Sequence, residues 1–356
     1  MKKRYLLSLI IMIVAVLGFT QRAHIAERLI SSAMQKQFTS DAIGALADGL
    51  HVGLCGAGGP LPSPRASGAC ILVIAGKREF VFDVGTNGAR NITLMGFQPG
   101  AVEAVFLTHF HSDHIDGLGE LATLRWAGGD FDAPLPVHGP SGVEQIVSGF
   151  NMAYSQDFIY RHAHHGDSVT PLASAGLAAR PFDLPAEGQG VTVYDQDDIE
   201  IEAFAVDHAP VFPAVGYRIR YRGRSAVISG DTSKSDNLIQ FAKGADLLAH
   251  EALATNIVAI MQRTATDNNQ TRIAKIASDI PDYHASPIEA AESAKAAGVR
   301  HLLFYHIVPP LRAPGQEALF LNGADAIFPH YTIGYDGTFI SLPTQQSDQI
   351  EITSRL

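Results

Sequence analysis

The side chains with the clearest chemical potential lie in one short run of the sequence, at His109, His111, Asp113 and His114. All four fall within six residues, between a predicted strand and a predicted helix. Histidines two residues apart on an extended segment project to the same side, whereas the turn into the helix directs Asp113 and His114 toward a second point nearby. Imidazole and carboxylate suit zinc, iron or manganese without any thiolate. The run therefore predicts that one segment supplies ligands to two adjacent metal ions.

The remaining ligands of a two-metal site are predicted at the ends of other strands, at His208, Asp231 and His306. Strand ends are where ligand sites form in α/β proteins. Asp231 follows a glycine and offers a carboxylate that can bridge two cations. Each of these residues alone fits an ordinary structural position, but together with the first run they complete a ligand set for two ions.

The elements that must position these residues are predicted from apolar runs bounded by turn residues. From Gly49 onward, short β-rich runs alternate with Ala-rich helical stretches without long linkers or a fixed-period repeat, which indicates one large α/β domain. The predicted strands are Cys70–Ala75, Glu79–Val84, Val102–Thr108, Ile199–Val206, Val215–Tyr221, Ser225–Ser229, Leu247–Ala249 and His301–Tyr305. The predicted helices are Ile115–Trp126, Gly142–Tyr154, Asp236–Lys243, Gln270–Asp279 and Pro287–Ala297.

The N-terminus carries a different signal. Lys2, Lys3 and Arg4 precede an apolar run of 14 residues, Leu6–Phe19, as in an export signal. A spanning helix needs about 20 apolar residues and no good cleavage site follows, so a cleaved signal peptide and an uncleaved anchor both remain open. The charges favour an exported body, periplasmic or membrane-anchored. The predicted organisation is a signal or anchor (1–20), a helical stalk (21–48), a catalytic α/β domain (49–345) and a tail (346–356).

The composition limits the kinds of partner that the protein is expected to bind. Thirty-six acidic against 26 basic residues give a formal charge of -10, so the chain offers no broad positive surface for nucleic acid. Cys55 and Cys70 could form a disulfide in an oxidising compartment, but free cysteine is also a common core residue, so their state stays open. The histidine-rich segment Arg161–His165 follows an aromatic stretch, and we expect an exposed loop or a substrate lid there rather than a third metal.

The order and spacing of the predicted ligands resemble the metallo-β-lactamase superfamily. Within it the chain is similar to ribonuclease Z and to the metallo-β-lactamase-type arylsulfatases, over about Leu50–Leu342. The supporting motifs are Gly53–Pro60, Asp83-Val84-Gly85, Val137-His138-Gly139-Pro140, Gly230-Asp231-Thr232, His250-Glu251-Ala252 and His284-Ala285-Ser286-Pro287. The resemblance implies a four-layer αββα sandwich, with a dinuclear zinc site at one edge of two facing sheets and iron or manganese as alternative metals.

The ligand pattern of the superfamily divides these side chains between two ions. Two ions about 3.5 to 4 Å apart can share a hydroxide and clamp both ends of an ester under displacement, so hydrolysis is the expected reaction. By resemblance, one ion is held by His109, His111 and His208, the other by Asp113, His114 and His306, and Asp231 bridges them.

The resemblance also implies supporting roles close to the metals. Asp113 counts as a catalytic residue as well as a ligand. His284 would assist the leaving group, because a protonated imidazole can donate to a departing oxygen, and Glu251 would orient His284. Asp83 and Asp116 are expected to support the metal ligands.

The expected substrate is a small ester, with a sulfate monoester favoured and a phosphodiester second. Ribonuclease Z carries a long tRNA-binding insertion after the position of His208, but here Asp231 follows His208 by only 23 positions. Together with export and the acidic charge, this argues against nucleic acid as a partner. An uncleaved N-terminal segment would contact the membrane, and a homodimer is allowed. The alternatives are a phosphodiesterase or ribonuclease Z-like endonuclease, a lactonase, an iron redox enzyme and a non-catalytic metal-binding protein.

Overall fold

A computed structural model describes residues 18–39, 41–346 and 348–356, together with residues 5 and 12. Contacts divide the chain into two units, one that ends at Ala45 and one that runs from Leu46 to Leu356. The first unit contains helix α1 (Arg22–Thr39). None of the helices in the described ranges is long and apolar enough to cross a membrane. The apolar run Leu6–Phe19, where the signal or anchor helix is predicted, lies mostly outside the described residues.

The second unit is built on two β-sheets. The first has eight strands, in the spatial order β15 (Glu351–Ser354), β14 (Thr338–Pro343), β1 (Gly49–Gly56), β2 (Cys70–Ala75), β3 (Arg78–Val84), β4 (Val102–Phe106), β5 (Leu135–Pro140) and β6 (Leu177–Phe182). The second has seven, in the order β13 (Tyr331–Ile333), β12 (His301–Val308), β11 (Leu247–Leu253), β10 (Arg224–Ile228), β9 (Val215–Tyr221), β8 (Ile199–Ala205) and β7 (Gly190–Gln196).

Both sheets contain a parallel part. Strands β3 to β6 are parallel in the first sheet, and β10 to β13 are parallel in the second. Parallel strands bring their carboxyl ends to one edge of a sheet, where ligand sites form. The predicted ligands follow β4, β8 and β10 or lie within β12. Strand β8 runs in the same direction as β10, because both are antiparallel to β9, so the topology gathers all these ligands at this edge.

Helices cover the outer faces of the sheets. Those beside the first sheet are α2 (Gly88–Leu94), α3 (Ser112–Ile115), α4 (Leu118–Gly128) and α5 (Val143–His165). Those beside the second sheet, or packed on its helices, are α6 (Asp236–Ala242), α7 (Thr255–Asp267), α8 (Thr271–Asp279), α9 (Pro287–Ala297), α10 (Gln316–Leu321) and α11 (Ala324–Ile327). The predicted α/β class with two sheets is confirmed.

The main core fills the space between the sheets. Alternate residues of each strand point inward, so Leu50 and Leu54 of β1 join Tyr217 and Ile219 of β9 in one buried cluster. The hydroxyl of Tyr217 donates a hydrogen bond to the carbonyl of Leu107 at 2.6 Å. Since a buried hydroxyl needs a partner, this bond fixes the core to the segment that carries the first predicted ligands.

Helix α9 begins as its sequence predicts. Pro287 occupies the first turn, the Ser286 hydroxyl accepts from the backbone N–H of Glu289 at 3.2 Å, and the Glu289 carboxylate accepts from the backbone N–H of Ser286 at 2.8 Å. This reciprocal pair satisfies two N–H groups that a helix end leaves free. The chain direction just after His284 is thereby fixed.

The segment Arg161–His165 is not the loop that its composition suggested. It forms the last turns of α5, which continues to His165 and ends at Gly166, a residue with a φ of 70°. Phe158 of the aromatic stretch before it packs inward and meets the indole of Trp126 edge-on at 5.5 Å, whereas Tyr160 is exposed. A left-handed residue such as Gly166 is a common helix end, and it stops the helix later than predicted.

Candidate metal centre

Asp231 lies at the centre of a buried group of imidazoles. Its Oδ2 atom is 3.4 Å from Nε2 of His114 and 3.5 Å from Nε2 of His306. The same oxygen is 3.8 Å from Nε2 of His109 and 3.9 Å from Nε2 of His208. One carboxylate oxygen therefore faces four histidines that come from three separate parts of the chain.

The ligand atoms form two compact groups, and all seven predicted ligands belong to them. Within each group the candidate ligand atoms lie within 4.8 Å of one another. The first group contains His109, His111, His208 and Asp231, and the second contains Asp113, His114 and His306. The structure thus brings the predicted set together with the predicted division.

Asp83 organises the segment that carries the first ligands. One of its oxygens accepts from the backbone N–H of Thr108 at 2.8 Å, and the other accepts from the Thr108 hydroxyl at 2.8 Å. That second oxygen also lies 2.8 Å from Nδ1 of His114, while the Thr108 hydroxyl lies 3.0 Å from Nδ1 of His109. Contacts of this kind fix the outward nitrogen of a ligand imidazole and leave the other nitrogen for the metal.

Two β-bulges aim side chains at the site. In the β2–β3 pairing the register skips Asp83, and in the β11–β12 pairing it skips His306. Both residues have positive φ angles, 52° and 47°, which non-glycine residues rarely adopt. A bulge inserts one residue and redirects its side chain, so these two strained residues turn toward the ligand cluster. No local sequence signal distinguishes either position.

His208 is held from outside the cluster. Its Nδ1 is hydrogen-bonded to the backbone carbonyl of Tyr283 at 2.8 Å, which fixes the tautomer that leaves Nε2 free of a proton. In the described part of the chain, Nε2 of His208 and Oδ1 of Asp231 are buried atoms without a hydrogen-bond partner. Such atoms cost free energy unless something binds them, and a cation would satisfy both. Imidazole and carboxylate donors fit zinc, iron and manganese.

The electrostatics favour metal-binding protonation states at two ligands. Burial would raise the pKa of Asp231, but the imidazoles of His306 and His114 hold it well below its usual range. Burial, together with His114, lowers the pKa of His109 well below its usual value. A carboxylate and a neutral imidazole are the forms that bind metal. At His114 and His306 burial lowers the pKa, but Asp231 outweighs it and raises the pKa of both, so a bound cation would replace these protons.

His284 and Glu251 stand beside the cluster as a pair. Oε1 of Glu251 lies 3.1 Å from Nδ1 of His284 and accepts from the backbone N–H of Ala285 at 2.9 Å. The His284 ring lies 5.0 Å from that of His208, centroid to centroid. Burial lowers the pKa of His284, but the Glu251 carboxylate outweighs it and raises the pKa to about 9. At neutral pH His284 therefore carries a proton next to the candidate metal ligands.

Asp116 and the histidines of Arg161–His165 do not belong to the ligand groups. The carboxylate of Asp116 is 3.5 Å from the hydroxyl of Thr86, and it forms no hydrogen bond or ion pair with a candidate ligand among the described residues. The histidines of Arg161–His165 are on α5 and are absent from both ligand groups.

The glycine-rich segment Gly59–Gly68, which follows β1, lies directly against the second ligand group. A Cβ atom on Gly59 would lie 3.0 Å from the His306 ring and 2.8 Å from a methyl of Val308, so any residue other than glycine would displace these neighbours. Cys55 and Cys70, whose state the sequence left open, form a disulfide with their Cα atoms 5.0 Å apart. The disulfide joins the two ends of the segment.

Comparison with known proteins identifies relatives that share most of this chain. A family model described as a β-lactamase superfamily domain matches residues 80–307. Ribonuclease Z of Mycobacterium bovis (strain BCG / Pasteur 1173P2) is 38% identical over 271 residues, which cover 75% of this chain and 89% of the relative. Ribonuclease Z of Mycolicibacterium gilvum (strain PYR-GCK) is 36% identical over 75% of this chain and 87% of its own.

Solved structures show the same fold. A metallo-β-lactamase fold protein from Bacillus subtilis aligns with a TM-score of 0.58 and 21% identity, over 83% of this chain and 100% of its own. Human tRNase Z, short form, aligns with a TM-score of 0.58 and 21% identity, over 82% of this chain and 99% of its own. At this level of identity, the alignments establish the fold alone.

The relatives overturn three predictions. The sulfate monoester as the favoured substrate is wrong, and so is a small-molecule partner to the exclusion of nucleic acid, because the relatives are named ribonucleases. The predicted export is wrong as well, because the relatives that share most of this chain are ribonucleases Z by name. The charge of -10 misled because it averages the whole surface and does not describe a local one.

The broader prediction, a hydrolase of the superfamily that the ligand pattern resembled, is confirmed. Together the family match, the relatives and the shared fold show that the chain belongs to the metallo-β-lactamase superfamily and, within it, to the ribonuclease Z family.

Proposed function

We propose that this protein is a dinuclear metal-dependent phosphodiesterase that cleaves RNA. The observation that carries the proposal is the complete set of ligand side chains around Asp231, in a chain 38% identical to a ribonuclease Z over 89% of that relative's length. Zinc fits the donor set, as do iron and manganese.

The proposed metal ligands follow the two groups in the structure. Asp231 stands between the groups, since its Oδ2 faces imidazoles of both. When bound, two such ions lower the pKa of water and stabilise negative charge on a phosphodiester under attack. The ligands for one ion are His109, His111 and His208, those for the other are Asp113, His114 and His306, and Asp231 is shared.

His284 is the proposed proton donor to the leaving oxygen. Its pKa of about 9 keeps the imidazole protonated at neutral pH, and an acid near the leaving group prevents the build-up of an alkoxide. Glu251 is a positioning residue, because it is buried and bonds both Nδ1 of His284 and the next backbone N–H. This arrangement leaves Nε2 of His284 to carry the proton toward the substrate.

The test is cleavage of a tRNA with a 3′ extension by the full chain loaded with zinc, with metal content measured on the same preparation. We expect endonucleolytic cleavage that disappears in Asp231→Ala and persists in Asp130→Ala, which changes an exposed acidic residue in the loop before β5. An aryl sulfate and a bis-aryl phosphate serve as comparison substrates. Full metal loading with aryl sulfate turnover and intact RNA would contradict the proposal.

His284→Ala tests the acid role separately from metal binding. We expect kcat to fall by about 10²- to 10⁴-fold, the usual contribution of a positioned acid or base, with the metal content unchanged. A leaving group of low pKa, such as a nitrophenolate, needs no proton and should restore most of the rate. Equal losses on both kinds of leaving group would assign His284 a structural role instead.

A further inference from the structure

A small cleft opens beside the second ligand group. It measures about 210 Å³, less than the roughly 300 to 1,000 Å³ of clefts that hold drug-sized ligands. The glycine-rich segment Gly59–Gly68 forms one wall, and residues around Thr86 and Asp116 form the other. Asp113 of the metal centre also lines it. A group bound here would therefore lie next to the reacting centre.

The lining selects for hydroxyl groups. Among the described residues that form the cleft, there is no aromatic ring to stack on a base and no Lys or Arg to pair with a phosphate. Its polar side chains are four hydroxyls, one amide and two carboxylates, at Ser63, Ser67, Thr86, Ser112, Asn87, Asp113 and Asp116. Hydroxyl donors of a sugar are the groups that such acceptors bind well, and a carboxylate is a common partner of a ribose 2′-hydroxyl.

The carboxylate of Asp116 can accept further hydrogen bonds. Its carboxylate receives one long contact, 3.5 Å from the Thr86 hydroxyl, at the outer limit of a hydrogen bond. No other hydrogen bond or ion pair to this carboxylate exists within the described ranges. Its backbone is nevertheless well fixed, because its N–H donates to the carbonyl of Ser112 at 2.8 Å and the N–H of Gly117 donates to the carbonyl of Val84 at 2.8 Å.

The opposite wall is also fixed in place. The carboxylate of Asp336 accepts from the backbone N–H of Ala57 at 2.9 Å and from that of Ser67 at 2.9 Å. The disulfide between Cys55 and Cys70 joins the ends of this wall. A cleft held on both sides binds without a large ordering cost.

We propose that this cleft is the subsite for one ribose beside the scissile phosphodiester, and that Asp116 accepts a hydrogen bond from its 2′-hydroxyl. The inference rests on the proposed cleavage of RNA and adds a specificity residue to it. The 2′-hydroxyl is the group by which a protein distinguishes RNA from DNA. The cleft thus supplies a local RNA contact in a chain whose His208-to-Asp231 segment is only a short hairpin.

The test pairs a substrate atom with a protein side chain. Single 2′-deoxy substitutions are placed in turn at the nucleotides on either side of the cleavage site, and kcat/KM is measured for the wild type, Asp116→Ala and Asp116→Asn. For the wild type we expect one position to cost about 10-fold or more, the range of a hydrogen bond to a charged group. In Asp116→Ala the all-ribose substrate should lose a similar factor, and the deoxy penalty at that position should vanish.

The controls separate this inference from the proposed function. Glu120→Ala changes an exposed carboxylate at the start of α4, outside the cleft, and should keep the full deoxy penalty. Metal content and the melting temperature show whether Asp116→Ala still folds, and Asp116→Asn, which retains an acceptor oxygen, should show an intermediate penalty. If the wild type cleaves RNA but both Asp116 variants keep its deoxy penalty, the ribose assignment is overturned while the function stands. If the wild type cleaves no RNA, both fail.

Discussion

Two short segments of this chain are equally rich in histidine, yet only one of them builds a site. Residues 109–114 and residues 161–165 each contain three histidines. In the first segment His109 and His114 are fully buried and converge on Asp231. In the second the histidines occupy the last turns of α5, and His164 and His165 are exposed. Histidine density alone therefore does not predict a metal centre.

The difference lies in what holds the imidazoles. In 109–114 the outward nitrogens are fixed by buried groups, Thr108 for His109 and Asp83 for His114, so the inner nitrogens meet. In 161–165 only His162 has a close partner on its ring, the carbonyl of Thr170 at 2.9 Å, among the described residues. Histidines that adjoin on a helix also diverge around its axis. A strand end with buried partners collects ligands, whereas a helix end disperses them.

Removing the shared ligand should have the largest effect. Asp231→Ala deletes the carboxylate that faces both ligand groups. Among the described residues it also leaves the buried imidazoles of His109 and His208 without a carboxylate within 4 Å. Since two ions contribute several kcal/mol to the transition state, we expect cleavage of a 3′-extended tRNA to fall at least about 10²-fold. Metal analysis of the same protein should show fewer than two ions.

The matched change in the other segment replaces His162, His164 and His165 by Ala together. It removes as many histidines as the first segment contains, but none of them belongs to a ligand group. We expect the metal content and kcat/KM of this variant to equal those of the wild type. A loss of one equivalent of metal would break the comparison, because it would place a functional metal at the end of α5.

Removing the charge of Asp83, which holds the outward nitrogen of His114, should have the next largest effect. Asp83→Asn keeps the size of the side chain but removes the charge that faces His114 and Thr108. Partners of this kind usually contribute 10- to 100-fold in metal affinity or activity, and we expect a loss in that range, measured by zinc competition with a chelator. In the second segment Asp167 lies 3.8 Å from Nδ1 of His162, and Asp167→Asn should change nothing. Unaltered zinc affinity in Asp83→Asn would show that ligand position alone suffices.

Much of the centre was predictable from sequence, because its ligands stand at strand ends whose apolar runs are easily recognised. His208 and Asp231 follow β8 and β10 closely, so the fold had to bring them to one edge. The contacts that hold these ligands in place were harder to predict. The bulge at His306 and the backbone carbonyl of Tyr283 that holds His208 depend on long-range pairing, which leaves no mark on the local sequence.

The predicted helix end and the predicted substrate were two of the errors, and both have physical causes. The segment Arg161–His165 was predicted as a loop or lid because it follows an aromatic stretch, and the packing of Trp126 on Phe158, which comes from a distant part of the sequence, continues the helix instead. The substrate was misassigned because the same metal pair can hydrolyse sulfate, phosphate and carbonyl esters. The ligands determine the reaction, while the surrounding surface selects the molecule.

A close approach of backbone to ligand gives a smaller expected effect. In Gly59→Ala the new methyl group would meet the His306 ring at 3.0 Å and a methyl of Val308 at 2.8 Å. Because the ring must shift by a few tenths of an ångström, we expect a loss of activity of about tenfold, within the range that a misplaced group causes. The measurement is kcat/KM at saturating zinc. Full activity would show that the segment yields before the ligand does.

The smallest effect is expected in α5, the helix that carries Arg161–His165. A glycine-to-alanine substitution there should stabilise the protein rather than disturb it. Gly149 lies within α5, and a Cβ atom there would meet nothing within 4 Å. Alanine loses less backbone entropy than glycine when a helix forms, so Gly149→Ala should stabilise the protein by about 0.5 to 1 kcal/mol. For a domain of this size that raises the melting temperature by about 2 °C, with unchanged kcat/KM. A lower melting temperature would mean that α5 needs this glycine for a contact outside the chain. The helix that carries Arg161–His165 would then have a role of its own.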